Sequence, residues 1–272
     1  MRPPIVEADE SAIARAAGLL AEGELVGMPT ETVYGLACDA WNAKAAAAVF
    51  ASKGRPSFDP LIVHVAAAVD AWQFVGDREA LGAAASGLMQ RLAEAFWPGP
   101  LTMVLPKPAA LPAIVTAGLE TVGVRVPEHR VARRLIEALG ERTGRIGAIA
   151  APSANVFGGV SPSRAEHVAV ECAVVLDGGP CATGVESTVV RPMTDGTAAV
   201  LRLGGVSVEA LGEVIGEAYV RVIAGHASDD EAAKGLASPG TTLKHYAPRT
   251  AMRLVSDRAE LASAIAASTG RV

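Results

Sequence analysis

Segments of helical period and segments of strand period alternate along most of this chain, and that alternation narrows its possible folds more than any other feature. Asp9 or Ser11 is placed to cap a helix running to about Leu20, which Gly23 stops. The stretch from Asn42 to Ser52 predicts an Ala-rich helix closed by Gly54, and that from Leu61 to Val65 a short β-branched strand. A longer helix is expected from about Arg78 to Phe96, broken by Trp97-Pro98-Gly99-Pro100, with a strand from Leu101 to Leu105 after it. From Thr121 to Val126 the pattern has period two: the valines face one way, and Thr121, Gly123 and Arg125 the other. A helix over 129–139 and a buried strand over 146–151 come next. The capping box Ser163-Arg164-Ala165-Glu166 predicts another helix, and strands are expected at 173–176, 187–191 and 199–203. Elements that each hide one face and alternate in this way predict an α/β domain.

Composition bounds the partners. Half of the 272 residues are hydrophobic but only 4% are aromatic, so the core must be built from small side chains. A formal net charge of −5 opposes a general affinity for nucleic acid or anionic membrane. Cys38, Cys172 and Cys181 are widely spaced and form no zinc-ligand pattern, which predicts a reducing, cytoplasmic setting. The N-terminus lacks an apolar signal core, and the uncharged stretch 146–163 is interrupted by Pro152, Gly158, Gly159 and Pro162, so no membrane span is expected. Neither a G-x-x-x-x-G-K-[ST] loop nor a G-x-G-x-x-G fingerprint occurs, so any nucleotide site must be built another way.

Polar groups gather where the strand patterns end. Pro29-Thr30-Glu31-Thr32-Val33-Tyr34-Gly35-Leu36 follows the apolar run 25–28 and puts three hydroxyl groups (counting Tyr34) and a carboxylate on a turn. Such a turn either caps its own backbone or lines a ligand site at a strand end. Lys53-Gly54-Arg55-Pro56 lies at a helix C-terminus, where cations complement the dipole or grip an anion. His64 sits among apolar strand residues, close to Arg55 and Asp59. Arg125 either faces solvent or offers its fork of donors to a carboxylate or phosphate. Ala151-Pro152-Ser153-Ala154-Asn155 runs on through Gly158-Gly159 to Ser161, where small residues let backbone N–H groups approach phosphate. Glu186-Ser187-Thr188 opens one strand, and Arg202 closes another.

Together these segments, with Pro60-Leu61, Trp97-Pro98-Gly99-Pro100-Leu101-Thr102, Val124-Arg125-Val126-Pro127 and Leu201-Arg202, resemble the YrdC-like threonylcarbamoyl-AMP synthase family across roughly residues 10 to 210. Ser238-Pro239-Gly240 and His245-Tyr246-Ala247-Pro248 look like the linker of its two-domain form. The resemblance implies a twisted, open, mixed sheet flanked by helices over 1–210, a linker over 211–248, and a shortened C-terminal α/β domain over 249–272 with a strand at 252–255 and a helix at 258–267. It implies a nucleotidyltransferase that joins L-threonine, bicarbonate or CO2, and ATP into threonylcarbamoyl-AMP, releasing pyrophosphate. The product would feed the tRNA threonylcarbamoyl-transfer machinery. By position in the motifs, Thr32, His64, Arg125, Ala151 and Ser187 are expected around threonine. Lys53, Arg55, Asp59, Thr121, Ser153, Asn155, Ser161, Arg202 and Tyr246 are expected around ATP, with Mg²⁺ carried on its phosphates. No covalent catalyst is expected. Asp59 departs from the pattern, which leads one to expect a neutral Asn there. Two alternatives share the fold: an RNA-binding module using Arg125, Arg130, Arg133 and Arg134, with weak tRNA contact, and a carbamoyl-adenylating enzyme with another acceptor.

Overall fold

The computed structural model describes residues 3–77, 79–223 and 255–267. Its strands are β1 (Ile5–Glu7), β2 (Val26–Met28), β3 (Gly35–Asp39), β4 (Ile62–Val65), β5 (Leu101–Pro106) and β6 (Thr121–Arg125). They continue with β7 (Ala148–Ala150), β8 (Val174–Asp177), β9 (Thr188–Pro192), β10 (Ala198–Arg202) and β11 (Val220–Val222). All lie in one mixed sheet of order β1-β8-β2-β3-β7-β4-β6-β5-β9-β10-β11. The helices are α1 (Glu10–Glu22), α2 (Ala43–Lys53), α3 (Ala68–Phe74), α4 (Gly82–Phe96), α5 (Arg130–Thr143), α6 (Val208–Ile215) and α7 (Arg258–Ala267).

Local sequence explains most of the helix ends. Asp9 accepts from the Ala12 amide at 2.7 Å and Gly23 closes α1 in the left-handed region; Asn42 and Gly54 do the same for α2. Helix α5 buries Ala132, Leu135, Ile136 and Leu139, a 3–4 spacing that makes one apolar stripe, and turns Glu137 and Glu141 to solvent.

Two helical layers cover the sheet unequally. On one face α2, α3, α4 and α6 bury a continuous core, with Val63, Val65, Leu101, Met103, Leu105, Val122 and Val124 supplied by the strands. On the other, α1 and α5 pack together over Met28, Ala37, Ile149 and Leu176. Among the described residues, the remaining part of that second face, over β4, β6, β5, β9 and β10, carries only the small cluster Ile62, Val104, Val189, Ala199 and Leu201. Strand alternation therefore directs His64, Thr102 and Arg125 onto the part of that face that no helix among the described residues covers.

Several expectations needed correction. The single helix from Arg78 becomes a 3-10 turn, Glu79–Leu81, and then α4, because Gly82 takes φ 71° between them. The capping box at Ser163 opens only a 3-10 turn, Ala165–His167: Val168 and Val170 are buried, and the Ala169 amide bonds Ala154 O, which holds the chain extended. Strands β1, β3 and β11 and helix α3 went unpredicted. Helix α7 matches the stretch expected at 258–267, while the strand at 252–255 and the linker motif fall almost wholly outside the described residues.

Gly204 ties this architecture to its polar face. A Cβ there would meet Glu186 O at 2.4 Å, the Ser187 carbonyl carbon at 2.4 Å and Thr188 N at 2.5 Å, all backbone atoms. Gly204→Ala must displace the entry to β9, so we expect a loss of at least about 2 kcal/mol in chemical denaturation.

Candidate active site

The loop 29–34 joining β2 to β3 is organised by its own first hydroxyl. Thr30 Oγ1 donates to Val33 O at 2.6 Å and accepts from the amides of Thr32 and Val33 at 3.2 and 3.1 Å. Its proton being used there, the 2.8 Å contact between Thr30 and Thr32 hydroxyls has Thr32 as donor. The self-capping reading of this turn therefore holds for Thr30. Outside bonds fix the loop's position: Tyr34 N to Pro162 O, Leu36 N to Pro152 O and Thr183 N to Glu31 O.

Arg125 ends β6 beneath this loop, buried rather than solvent-facing. Its Nε donates to Gly99 O at 3.1 Å, Nη1 to Thr32 Oγ1 at 2.9 Å and Nη2 to Glu31 Oε1 at 2.5 Å. Burial would raise the Glu31 carboxyl, but the charge and hydrogen bond of Arg125 outweigh it and hold the group below the usual carboxylate range. His64 pairs with Arg125 across the parallel β4–β6 ladder. Burial, reinforced by the Arg125 charge, depresses its pKa to about 3, so the imidazole is neutral at physiological pH. Ala151, just past β7, bonds the Ile62 carbonyl through its amide and borders the same face.

A second group of charges lies along the same face. Lys53 is only 1% exposed and donates through Nζ to Ser153 O and, at 2.5 Å, to Asn155 O. It is no solvated helix cap. Arg55 bonds Asp59 O and Pro60 O and forms a buried 2.9 Å ion pair with Asp59. Burial outweighs the attraction of Arg55, Arg202 and Lys53 and raises the Asp59 carboxyl above its ordinary range. Asn155 anchors its loop by donating to Val156 O and Gly159 O, both at 2.9 Å. Ser161 donates to Glu186 Oε1 at 3.0 Å, and Arg202 lies 3.5 Å from Glu186 Oε2.

Ser187 joins the two groups. Its hydroxyl is 2.8 Å from Thr102 Oγ1 and accepts from Arg202 Nη2 at 3.0 Å. Strict alternation would send Arg202 to the same side as Ala198 and Val200, but the β9–β10 register shifts between Val200 and Arg202. That irregularity aims the guanidinium at Ser187, whose carbonyl it also bonds at 2.9 and 3.1 Å.

Most residues singled out in the sequence thus converge on one face. Thr121 is half-buried at the start of β6, away from Arg125 at the strand's end, and Tyr246 lies outside the described residues. Sequence reasoning passed over three participants: Glu31, Thr102 and Glu186. Each stands inside a motif already singled out, and the signal available was a polar residue at an apolar or strand-end position. The basic residues proposed for RNA are largely spoken for: Arg134 pairs with Glu10, Glu137 and Glu141, and Arg133 bonds Ala66 O.

Lys53, Arg55 and Arg202 set against Asp59 and Glu186 leave a formal surplus of one positive charge, three minus two. Burial, then repulsion by Arg55, lowers Lys53 to about 7. A bound polyanion must raise it again, so binding takes up protons above neutrality. At pH 8, inorganic tripolyphosphate should take up about one proton per site, measured by calorimetry in buffers of different ionisation enthalpy; Lys53→Met should abolish most of that uptake.

Comparison with known proteins places this geometry. Residues 18–204 match the Sua5/YciO/YrdC family, described as telomere recombination, and residues 206–271 match the threonylcarbamoyl-AMP synthase C-terminal domain. The threonylcarbamoyl-AMP synthase of Pyrococcus abyssi is 43% identical over 246 residues, covering 88% of this chain and 66% of that protein. That of Bacillus subtilis is 44% identical over 241 residues, 87% of this chain and 64% of its own length. The chain thus spans slightly less than two thirds of these relatives. A crystal structure of P. abyssi Sua5 complexed with L-threonine superposes with a TM-score of 0.74 at 39% identity, covering 90% of this chain and 68% of that one. On the match over 18–204 and these identities, the chain belongs to the Sua5/YciO/YrdC family.

Proposed function

We propose that this chain makes L-threonylcarbamoyl-AMP from L-threonine, bicarbonate or CO2, and ATP, releasing pyrophosphate. One observation carries the reading: a buried guanidinium suited to a carboxylate and a trio of cations suited to polyphosphate lie on the same side of the sheet, with Ser187 bonded to Arg202 and to Thr102 of β5. The relatives' names and the threonine held by P. abyssi Sua5 support it.

Threonine's carboxylate sits on Arg125, with Thr32, His64, Ala151 and Ser187 around it. Neutral His64 can offer or accept one hydrogen bond without charge. ATP places its phosphates among Lys53, Arg55 and Arg202 and against the Ser153, Asn155 and Ser161 loop, with Asp59 and Thr121 beside them and Tyr246 over the nucleotide. A cavity of about 340 Å³ lined by Val160, Ser161, Val185, Glu186, Arg202 and Leu203 gives the base an apolar wall and the ribose a polar end. A triphosphate brings more negative charge than the net single positive charge of this cluster offsets, so the nucleotide enters with Mg²⁺ on its phosphates. Among the described residues no three of His, Cys, Asp and Glu form a metal cage.

The amine adds to CO2 and loses a proton, giving a carbamate whose oxygen attacks the α-phosphorus as pyrophosphate leaves. The chain's residues act by holding both reactants in line and stabilising charge. The product would pass to the tRNA threonylcarbamoyl-transfer machinery in the cytoplasm, a setting in keeping with three unpaired cysteines. No helix among the described residues is long and apolar enough to cross a membrane.

Pyrophosphate release in the presence of MgATP should require both threonine and bicarbonate; release that persists with either omitted overturns this reading. Arg125→Lys keeps a charge beside Glu31 but loses the fork. It should raise the threonine requirement by about tenfold or more while changing ATP affinity less than about threefold, measured by steady-state kinetics and nucleotide titration.

A further inference from the structure

Glu31 has a chemical capacity that neither the motif comparison nor the reaction assigns. Glu31 is only 5% exposed, and Arg125 engages one of its two carboxylate oxygens. Oε1 accepts from Arg125, while Oε2 has no hydrogen-bond partner. The amides of Glu31 and Glu128 favour its charged form, yet neither bonds Oε2. An ionised oxygen buried without a donor costs stability, so a fold retains one where a donor arrives from outside.

The surroundings define that donor. Arg125 spends three of its five N–H groups on Gly99, Thr32 and Glu31, leaving one on each terminal nitrogen. His64 Nδ1, in the same cluster, is buried without a partner too. A carboxylate arriving at Arg125 therefore lies next to the Glu31 carboxylate, an arrangement that repels a simple acid. A ligand carrying a cationic or N–H-bearing nitrogen one bond from its carboxyl-bearing carbon turns that repulsion into attraction.

We propose that Glu31 Oε2 is the acceptor for the α-amino group of the amino-acid substrate, so that Glu31 and Arg125 together read an α-amino acid zwitterion. This rests on the threonine reading above and adds the subsite for its reacting nitrogen. Held below the usual carboxylate range by Arg125, Glu31 is a poor proton acceptor; it orients the nitrogen and leaves deprotonation to solvent or bicarbonate. It also explains why an acid pairs with Arg125: an amide at 31 would satisfy Arg125 through its oxygen but present N–H to N–H at the ligand.

The test compares L-threonine with (R)-3-hydroxybutanoate, the same molecule lacking its amino group, by calorimetric titration at pH 7. The wild-type protein should prefer threonine by about tenfold or more, the value of one hydrogen bond to a charged group. Glu31→Gln should lose about tenfold on threonine and less than about threefold on the analogue, collapsing the preference. Equal weakening of both ligands, or no weakening, overturns the assignment, because a residue acting only through Arg125 cannot tell them apart. Should Glu31→Gln fail to fold, equal wild-type affinity for the two ligands overturns it without any variant. A wild-type protein that binds neither overturns the threonine reading itself and this subsite with it, whereas threonine binding with an unaffected Glu31→Gln overturns the subsite alone.

Discussion

A guanidinium buried at a strand end must be neutralised and bonded, and meeting that demand at Arg125 arranges two loops directly and a third through them. Gly99 comes from the turn after α4, and Thr32 and Glu31 from the β2–β3 connection. That connection is in turn held by Pro152 and Pro162 of the Gly-rich loop. Breaking a buried pair of this kind costs about 3–5 kcal/mol, because the surviving charge stays out of water. The binding face is therefore a stability element as well as a chemical one, and the loops are pinned where substrates would meet them.

The second cluster meets the same problem differently. Lys53, Arg55 and Arg202 repel one another, and Asp59 and Glu186 only partly offset them. All three cations lean on carbonyls: Lys53 on Ser153 and Asn155, Arg55 on Asp59 and Pro60, and Arg202 on Ser187. Asp59 itself is held with its carboxyl raised and neither oxygen in hydrogen-bond geometry. The acid found where a neutral Asn was expected thus acts as a local counter-charge to Arg55.

Much of this was legible in the sequence because the motifs are local. The caps Asp9, Asn42, Gly23 and Gly54, the period-two strand carrying Arg125 and the strand-end clusters of hydroxyls all announce themselves within a few residues. What was hidden depends on distant partners. Ser163 opens a good capping box, yet buried valines and a bond to Ala154 draw the following chain straight. Arg202 reaches Ser187 only through a register shift, which no periodicity reveals. The role of Glu31 exists only once β6 lies beneath the loop. Three-residue β1 and β11 carry too few residues for a pattern, and β3, buried at every position, has no alternation to read; neighbouring strands make them strands.

The uncovered part of the sheet has one more consequence. Arg125, Thr102 and Arg202 stand on β6, β5 and β10, and β9, whose entry carries Ser187, lies between the last two. Strands sit about 4.8 Å apart, so three steps put the axes of β6 and β10 about 14 Å apart. Backbone hydrogen bonds, not side-chain preference, set that interval. The sheet is in this sense a gauge: it sets the interval between two buried guanidinium groups in increments that no single side-chain replacement alters.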